Sequence, residues 1–181
     1  PGLEGWTIYV DVDGSGTLTT GDLSAVTMSD GFYKIENIMP GVEYTIREVL
    51  KPDWYQSWPR GGFYTETFES TVESTRNDFG NYQLASKSGY KWHDLDADGY
   101  WDTGEPGLEG WTIYVDVDDS GTLNSGDLSA VTMSDGSYKI EGIMPGVEYA
   151  VREVQQPDWI QSYPTGAGIH VEVFVSGRDS M

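Results

Sequence analysis

The sequence contains no cysteine. Neither a disulfide framework nor a thiolate metal site is therefore available, and redox compartment cannot be read from thiol usage. Basic residues are scarce: 10 Lys and Arg stand against 30 Asp and Glu, a formal net charge of -20. With no basic patch to meet phosphates, nucleic acid is an unsuitable partner, and the same charge disfavours anionic membrane surfaces. Histidine is limited to His93 and His170, each isolated in sequence, so no Ser–His–Asp or Cys–His order can be assembled. No run of about 18 apolar residues occurs, so no helix is expected to span a bilayer. No leader-peptide pattern is present either, and the abrupt start at Pro1 reads as a piece of something longer.

What the chain does have is glycine (23), tyrosine (12), tryptophan (7) and a long internal repeat. The segment PGLEGWTIYVDVDGSGTL at 1–18 returns as PGLEGWTIYVDVDDSGTL at 106–123, an offset of 105 residues. Over 1–60 and 106–165, 48 of 60 positions are identical. A period of that length suits a whole β-sandwich domain, not a solenoid unit. The copies are cut out of phase. Residues 88–105 precede the second PGLEGW and have no counterpart before Pro1, while NDFGNYQL at 77–84 closes only the first copy. The expected organisation is a repeat over 1–84 without its first strand and first acidic loop, then a repeat over 85–181 without its last strand. The junction falls near Leu84 to Ser88.

Alternation and β-branched content predict strands at 111–115, 137–140, 147–151 and 169–175. Turn signals at Ser134-Asp135-Gly136, Met144-Pro145-Gly146 and Gln156-Pro157-Asp158 separate them. No segment keeps a helical period. The fold class is therefore all-β: tandem antiparallel sandwiches of about seven strands per complete repeat.

Three acidic loops carry the chemistry. Residues 94–105 place Asp94, Asp96 and Asp98 at positions 1, 3 and 5 of a twelve-residue calcium loop, with Gly99 at 6. Tyr100 offers its carbonyl at 7, Asp102 sits at 9 and Glu105 at 12, where a bidentate carboxylate belongs. Hard oxygen ligands at alternating positions allow one short loop to wrap a calcium ion. In 116–127 the same positions hold Asp116, Asp118, Ser120, Thr122, Asn124 and Asp127; in 11–22 they hold Asp11, Asp13, Ser15, Thr17, Thr19 and Asp22. These two match less fully, because Ser is a poorer ligand at 5 and Asp is shorter than Glu at 12. The alternative reading for them is an Asx-rich hairpin loop stabilised by its own side chains. The three loops hold five, four and three acids, twelve of the thirty in the chain. Their flanks are strand-like, so the calcium-loop pattern does not imply helical EF-hands. Carboxylates are numerous enough for a two-acid glycosidase pair, but cation loops explain their spacing better.

The strings KWHDLDADGYWDTGEPGLEGWTIYVDVD, SDGSYKIEGIMPGVEYAVREV and QPDWIQSYP, with DFGNY closing the first copy, resemble the SdrD B-like repeat, a relative of the collagen-adhesin B-type domains. The resemblance covers essentially the whole chain. It implies a prealbumin-like, reverse-immunoglobulin sandwich. It also implies an extracellular or cell-surface bacterial protein in which calcium stiffens a stalk of neighbouring repeats, with calcium on Asp94, Asp96, Asp98, Asp102 and Glu105. Asp53 and Asp158 depart from it, since a Gly commonly precedes the aromatic there. Collagen-adhesin relatives often join a Lys to an Asn through an isopeptide bond beside a buried acid. Glu48 and Glu153 match the place of that acid, and Lys91 and Asn81 are the pair by type, though in different copies. The B-like repeats generally lack the bond, and the expectation for both glutamates is satisfaction by backbone or Arg neighbours.

A structural, non-enzymatic role follows as the leading expectation, with calcium near the junctions fixing the angle between repeats. Two others stand beside it. The aromatics of 53–58 and 158–163 would make an adhesive or sugar-stacking surface if exposed, whereas large rings more often close the end of a sandwich. Self-assembly into a filament or surface layer would follow if a copy without its first strand accepted one from a neighbour.

Overall fold

The computed structural model describes every residue from Pro1 to Met181. No helix forms. Thirteen strands do: β1 (Thr7–Asp11), β2 (Leu23–Val26), β3 (Glu43–Glu48), β4 (Tyr55–Trp58), β5 (Phe63–Thr67), β6 (Gly80–Tyr82), β7 (Ala85–Tyr90), β8 (Thr112–Asp116), β9 (Leu128–Val131), β10 (Ser137–Ile143), β11 (Glu148–Glu153), β12 (His170–Val173) and β13 (Asp179–Ser180). The chain divides into two compact units, Pro1–Tyr82 and Gln83–Met181.

In the second unit, a four-stranded antiparallel sheet runs β12-β11-β8-β9, and a three-stranded sheet runs β10-β7-β13. Alternation along each strand sends one face inward, and the inward residues come from both sheets. Ala85 on β7 and Ile140 and Ile143 on β10 pack with Ile113 and Val115 on β8, Val151 on β11 and Phe174. The antiparallel expectation holds for every pair but one: β13 runs parallel to β7. A bulge between Glu141 and Ile143 lets β10 place Ile143 opposite Ala85.

The first unit repeats the four-stranded sheet as β2-β1-β3-β5, with β1–β2 in the same register as β8–β9. Its core centres on Ile8, Val10 and Ile46, packed by Tyr33, Ile35, Ile38, Tyr44, Tyr64, Phe68 and Phe79. A separate pair, β4 and β6, holds Tyr55 stacked on Tyr82, ring centroids 5.4 Å apart.

Two near-identical sequences take different structures in the two units. FYKIENI at 32–38 forms no strand, whereas SYKIEGI at 137–143 is β10. Conversely, Tyr55–Trp58 is β4, whereas 160–163 forms no strand. The cause is pairing. Strand β10 exists through its ladder with β7, and β4 through its ladder with β6; neither partner has a counterpart in the other unit. A β-strand is defined by a neighbour, not by propensity alone.

The hairpins that carry the acidic loops are anchored from beneath. Thr27 Oγ1 receives the Trp6 N–H and donates to the Leu3 carbonyl; Thr132 does the same with Trp111 and Leu108. Trp6 and Trp111 are buried and meet Trp54 and Trp159 edge-on, at 5.4 and 5.3 Å. Asp53 and Asp158, the residues before those tryptophans, sit at φ 62° and 64°. That is the left-handed region where Gly is easiest and Asp is among the tolerated exceptions, which accounts for the departure seen in the sequence.

Candidate metal centre

The acidic loops follow β1, follow β8, and lie between β7 and β8, and all three share one hydrogen-bond network. The carboxylate at position 1 accepts the N–H groups at positions 5 and 6. Asp11 takes Ser15 and Gly16, Asp116 takes Ser120 and Gly121, and Asp94 takes Asp98 and Gly99, all at 2.9–3.2 Å. The carboxylate at position 12 closes the loop by accepting N–H groups at positions 2 and 9. Asp22 holds Val12 and Thr19, Asp127 holds Val117 and Asn124, and Glu105 holds Leu95 and Asp102. Asp at position 12 thus spans the same two donors as Glu, and the shorter side chain is no handicap to closure. Position 6 is glycine in each loop, at φ 77°, 83° and 75° for Gly16, Gly99 and Gly121, the conformation its missing Cβ permits.

These networks converge the acids. Carboxylate oxygens lie within 4.8 Å of one another in four sets: Asp11, Asp13 and Asp22; Asp116, Asp118 and Asp127; Asp94, Asp96 and Glu105; and Asp96, Asp98 and Asp102. The last two share Asp96, so the 94–105 loop gathers all five of its acids around one residue. The neutral candidates also turn toward the loops. Ser15 and Ser120 donate to the carbonyls of Thr17 and Thr122 at 2.9 Å, which aims the position-7 carbonyl at the position-5 side chain. Thr19 Oγ1 reaches Asp13 and Asp22 at 3.1 Å. The Asn124 amide nitrogen sits among Asp118, Ser120 and the Thr122 carbonyl at 3.1–3.5 Å, a donor surrounded by the oxygens of positions 3, 5 and 7. Tyr100 donates its N–H to Asp98 at 2.8 Å, and its ring is exposed.

The electrostatics separate the loops. Asp11 and Asp116 are buried and paired with Arg47 (3.4 Å) and Arg152 (2.8 Å). Those arginines were not apparent from the sequence. They reach the loops across the ladders that set Thr45 opposite Asp11 and Ala150 opposite Asp116, information that only strand register supplies. The 94–105 loop has no ion pair. A hydrogen bond from Ser162 holds the Asp94 carboxyl below its ordinary range. Desolvation and then the charge of Asp98 push Asp96 up. Hydrogen bonds from Ser15 and Ser120 lower Asp13 and Asp118. An all-oxygen set of uncompensated carboxylates suits a hard divalent cation and no soft metal.

The 94–105 loop rests on an aromatic row. Trp101 donates its indole N–H to the Glu105 carbonyl (3.1 Å) and stacks on Trp92, centroids 5.9 Å apart and 18° between planes. Tyr90 flanks Trp101, and Tyr163 flanks Trp92. The tryptophans Trp54 and Trp159 pack on buried rings as the sandwich-end reading expects, while Tyr55, Trp58, Tyr163 and Trp101 remain about half exposed. His93 and His170 face Trp159 and Tyr163.

The two glutamates have other partners than the backbone or arginine expected. Glu48 accepts the Asn81 amide at 2.7 Å, and Glu153 pairs with Lys91 at 2.7 Å. One oxygen of each carboxylate, Glu48 Oε2 and Glu153 Oε1, is buried without a partner.

No family model matches the chain. Among curated proteins it is similar to Serine-aspartate repeat-containing protein D of Staphylococcus aureus strain Newman, 27% identical over 175 residues. The same protein of strain MW2 matches equally. The match covers 87% of this chain but 13% of the relative, so the chain spans about an eighth of its length. The resemblance read from the sequence motifs therefore holds along most of the chain, and the helix-free fold agrees with it.

Proposed function

We propose that this chain is a calcium-stiffened spacer of a bacterial cell-surface protein, built from B-like repeats and neighboured by further repeats. The 94–105 loop carries the proposal: five carboxylates share Asp96 as their common member, and no basic side chain offsets them. Without a cation they repel; a calcium ion coordinated by Asp94, Asp96, Asp98, Asp102, Glu105 and the Tyr100 carbonyl would turn that repulsion into a clamp. The loops at 11–22 and 116–127 are weaker sites of the same design, because Arg47 and Arg152 already supply part of the counter-charge. The role is mechanical, not catalytic. Similarity to a repeat-containing protein of Staphylococcus aureus supports the cell-surface placement.

Isothermal titration with calcium tests this. Saturable binding that Asp96→Ala removes from the strongest site supports the reading; a featureless titration overturns it. A second reading, adhesion through sugar stacking, is favoured by one observation, the half-exposed row Tyr90, Trp101 and Tyr163. Glycan binding that disappears with Trp101→Ala would support it, and a blank glycan array would count against it.

A further inference from the structure

Strand β12 is a sheet edge with an apolar outer face. It pairs with β11 on one side, in the order β12-β11-β8-β9, and has no strand on the other. In the first unit β5 holds the same edge, with β6 following it in the chain, so the edge belongs to the sheet design. The Phe174 carbonyl accepts the Gly146 N–H at 2.9 Å on the β11 side. Alternation therefore turns the N–H and C=O groups of Val171 and Val173 to the open side.

Side chains distinguish the two edges. Val171, Val173 and Val175 are exposed by 57%, 53% and 53%. Val171 lies opposite Ala150 and Val173 opposite Glu148; at the same register positions the first unit has Thr65 and Thr67. Lysine, proline or a bulge commonly blunts an edge strand, and β12 has none of them. Its one formal charge, Glu172, points inward, where Lys87 neutralises it at 3.0 Å. A net charge of -20 sets copies of the chain against each other, but β12 presents no unpaired charge.

The strand is also complementary to itself. Laid antiparallel on a second copy with Val171 facing Val171, it sets Ile169 opposite Val173 on the outer face. On the inner face His170 falls opposite Glu172 of the second copy, an imidazole beside a carboxylate on each side of the axis. A register centred on Glu172 opposes two carboxylates instead, which is destabilising.

We propose that the chain self-associates through β12, two copies pairing antiparallel about Val171 and joining their four-stranded sheets into one. Main-chain bonds supply the affinity, and the His170–Glu172 pairs select the register. This is a lateral contact beyond the spacer role, and it does not depend on cation binding by the acidic loops.

Sedimentation equilibrium of the whole 181-residue chain in EDTA, from micromolar to millimolar concentration, tests it. The expected result is a reversible monomer–dimer equilibrium. Val171→Thr combined with Val173→Thr installs residues that the first unit already carries in this register. The pair should weaken the dimer at least about tenfold by removing buried methyl groups, with the melting temperature of the dilute chain unchanged. A second measurement uses the absence of native cysteine. Facing Cα atoms of a hydrogen-bonded antiparallel pair lie about 5.5 Å apart, within disulfide reach. Val171→Cys should therefore cross-link two copies under mild oxidation. Val131→Cys, equally exposed but on β9, should not. A chain that stays monomeric at millimolar concentration would overturn the proposal. So would a dimer indifferent to the threonine pair, or equal cross-linking of the two cysteine variants.

Discussion

Asp96 belongs to both carboxylate sets of the 94–105 loop, and its carboxyl is pushed up by desolvation and by Asp98. The same residue therefore has opposite effects in two states. Asp96→Asn should raise the melting temperature in EDTA by relieving repulsion, yet weaken calcium binding; calorimetry in both buffers checks the reversal. Glu48 shows a different pH logic. Burial raises its carboxyl above the ordinary range, partly opposed by the Asn81 hydrogen bond. The folded state then holds the proton more tightly than the unfolded chain. Its contribution is fully present below the ordinary glutamate value and is lost as pH rises through the raised one. Glu48→Gln removes that dependence, so the variant should gain stability relative to the parent as pH rises above the ordinary glutamate value, measured by urea unfolding. At this scale the convergence of the acids in each loop was legible because the residues of a loop are local in sequence. Arg47 and Arg152 were not, because each meets its acid through strand pairing; Lys91 and Asn81 were singled out by type, but that each would sit on its own copy's glutamate was not.

Strands carry the second level of the account. Strand β8 was readable from its alternation, and its inward residues Ile113 and Val115 lie in the core. Phe174, beside β12, is fully buried where the two sheets meet. Phe174→Ala should cost about 3–5 kcal/mol in chemical denaturation, the usual range for emptying an aromatic core site. The hairpin anchor is smaller in scale: Thr132→Ala leaves the Trp111 N–H and the Leu108 carbonyl without their shared partner and should cost about 1–3 kcal/mol. What the sequence could not convey is that 32–38 and 137–143, nearly identical, differ in state. Propensity is a property of residues, whereas a ladder needs two strands, and only β10 has its partner.

Across the whole molecule the charge of -20 is the dominant fact, and twelve of the thirty acids sit in three loops. Monovalent salt should raise the melting temperature in EDTA by screening those clusters, with less effect once calcium is bound. Calcium at ten times its Kd would add about 1.4 kcal/mol per site by mass action. One kcal/mol moves the melting temperature of a 60–100-residue domain by about 4–8 °C. Differential scanning calorimetry with calcium and with EDTA therefore tests the central claim most directly. The account predicts a rise of at least about 5 °C in calcium, reduced in Asp96→Ala; an identical melting temperature in the two buffers would contradict it.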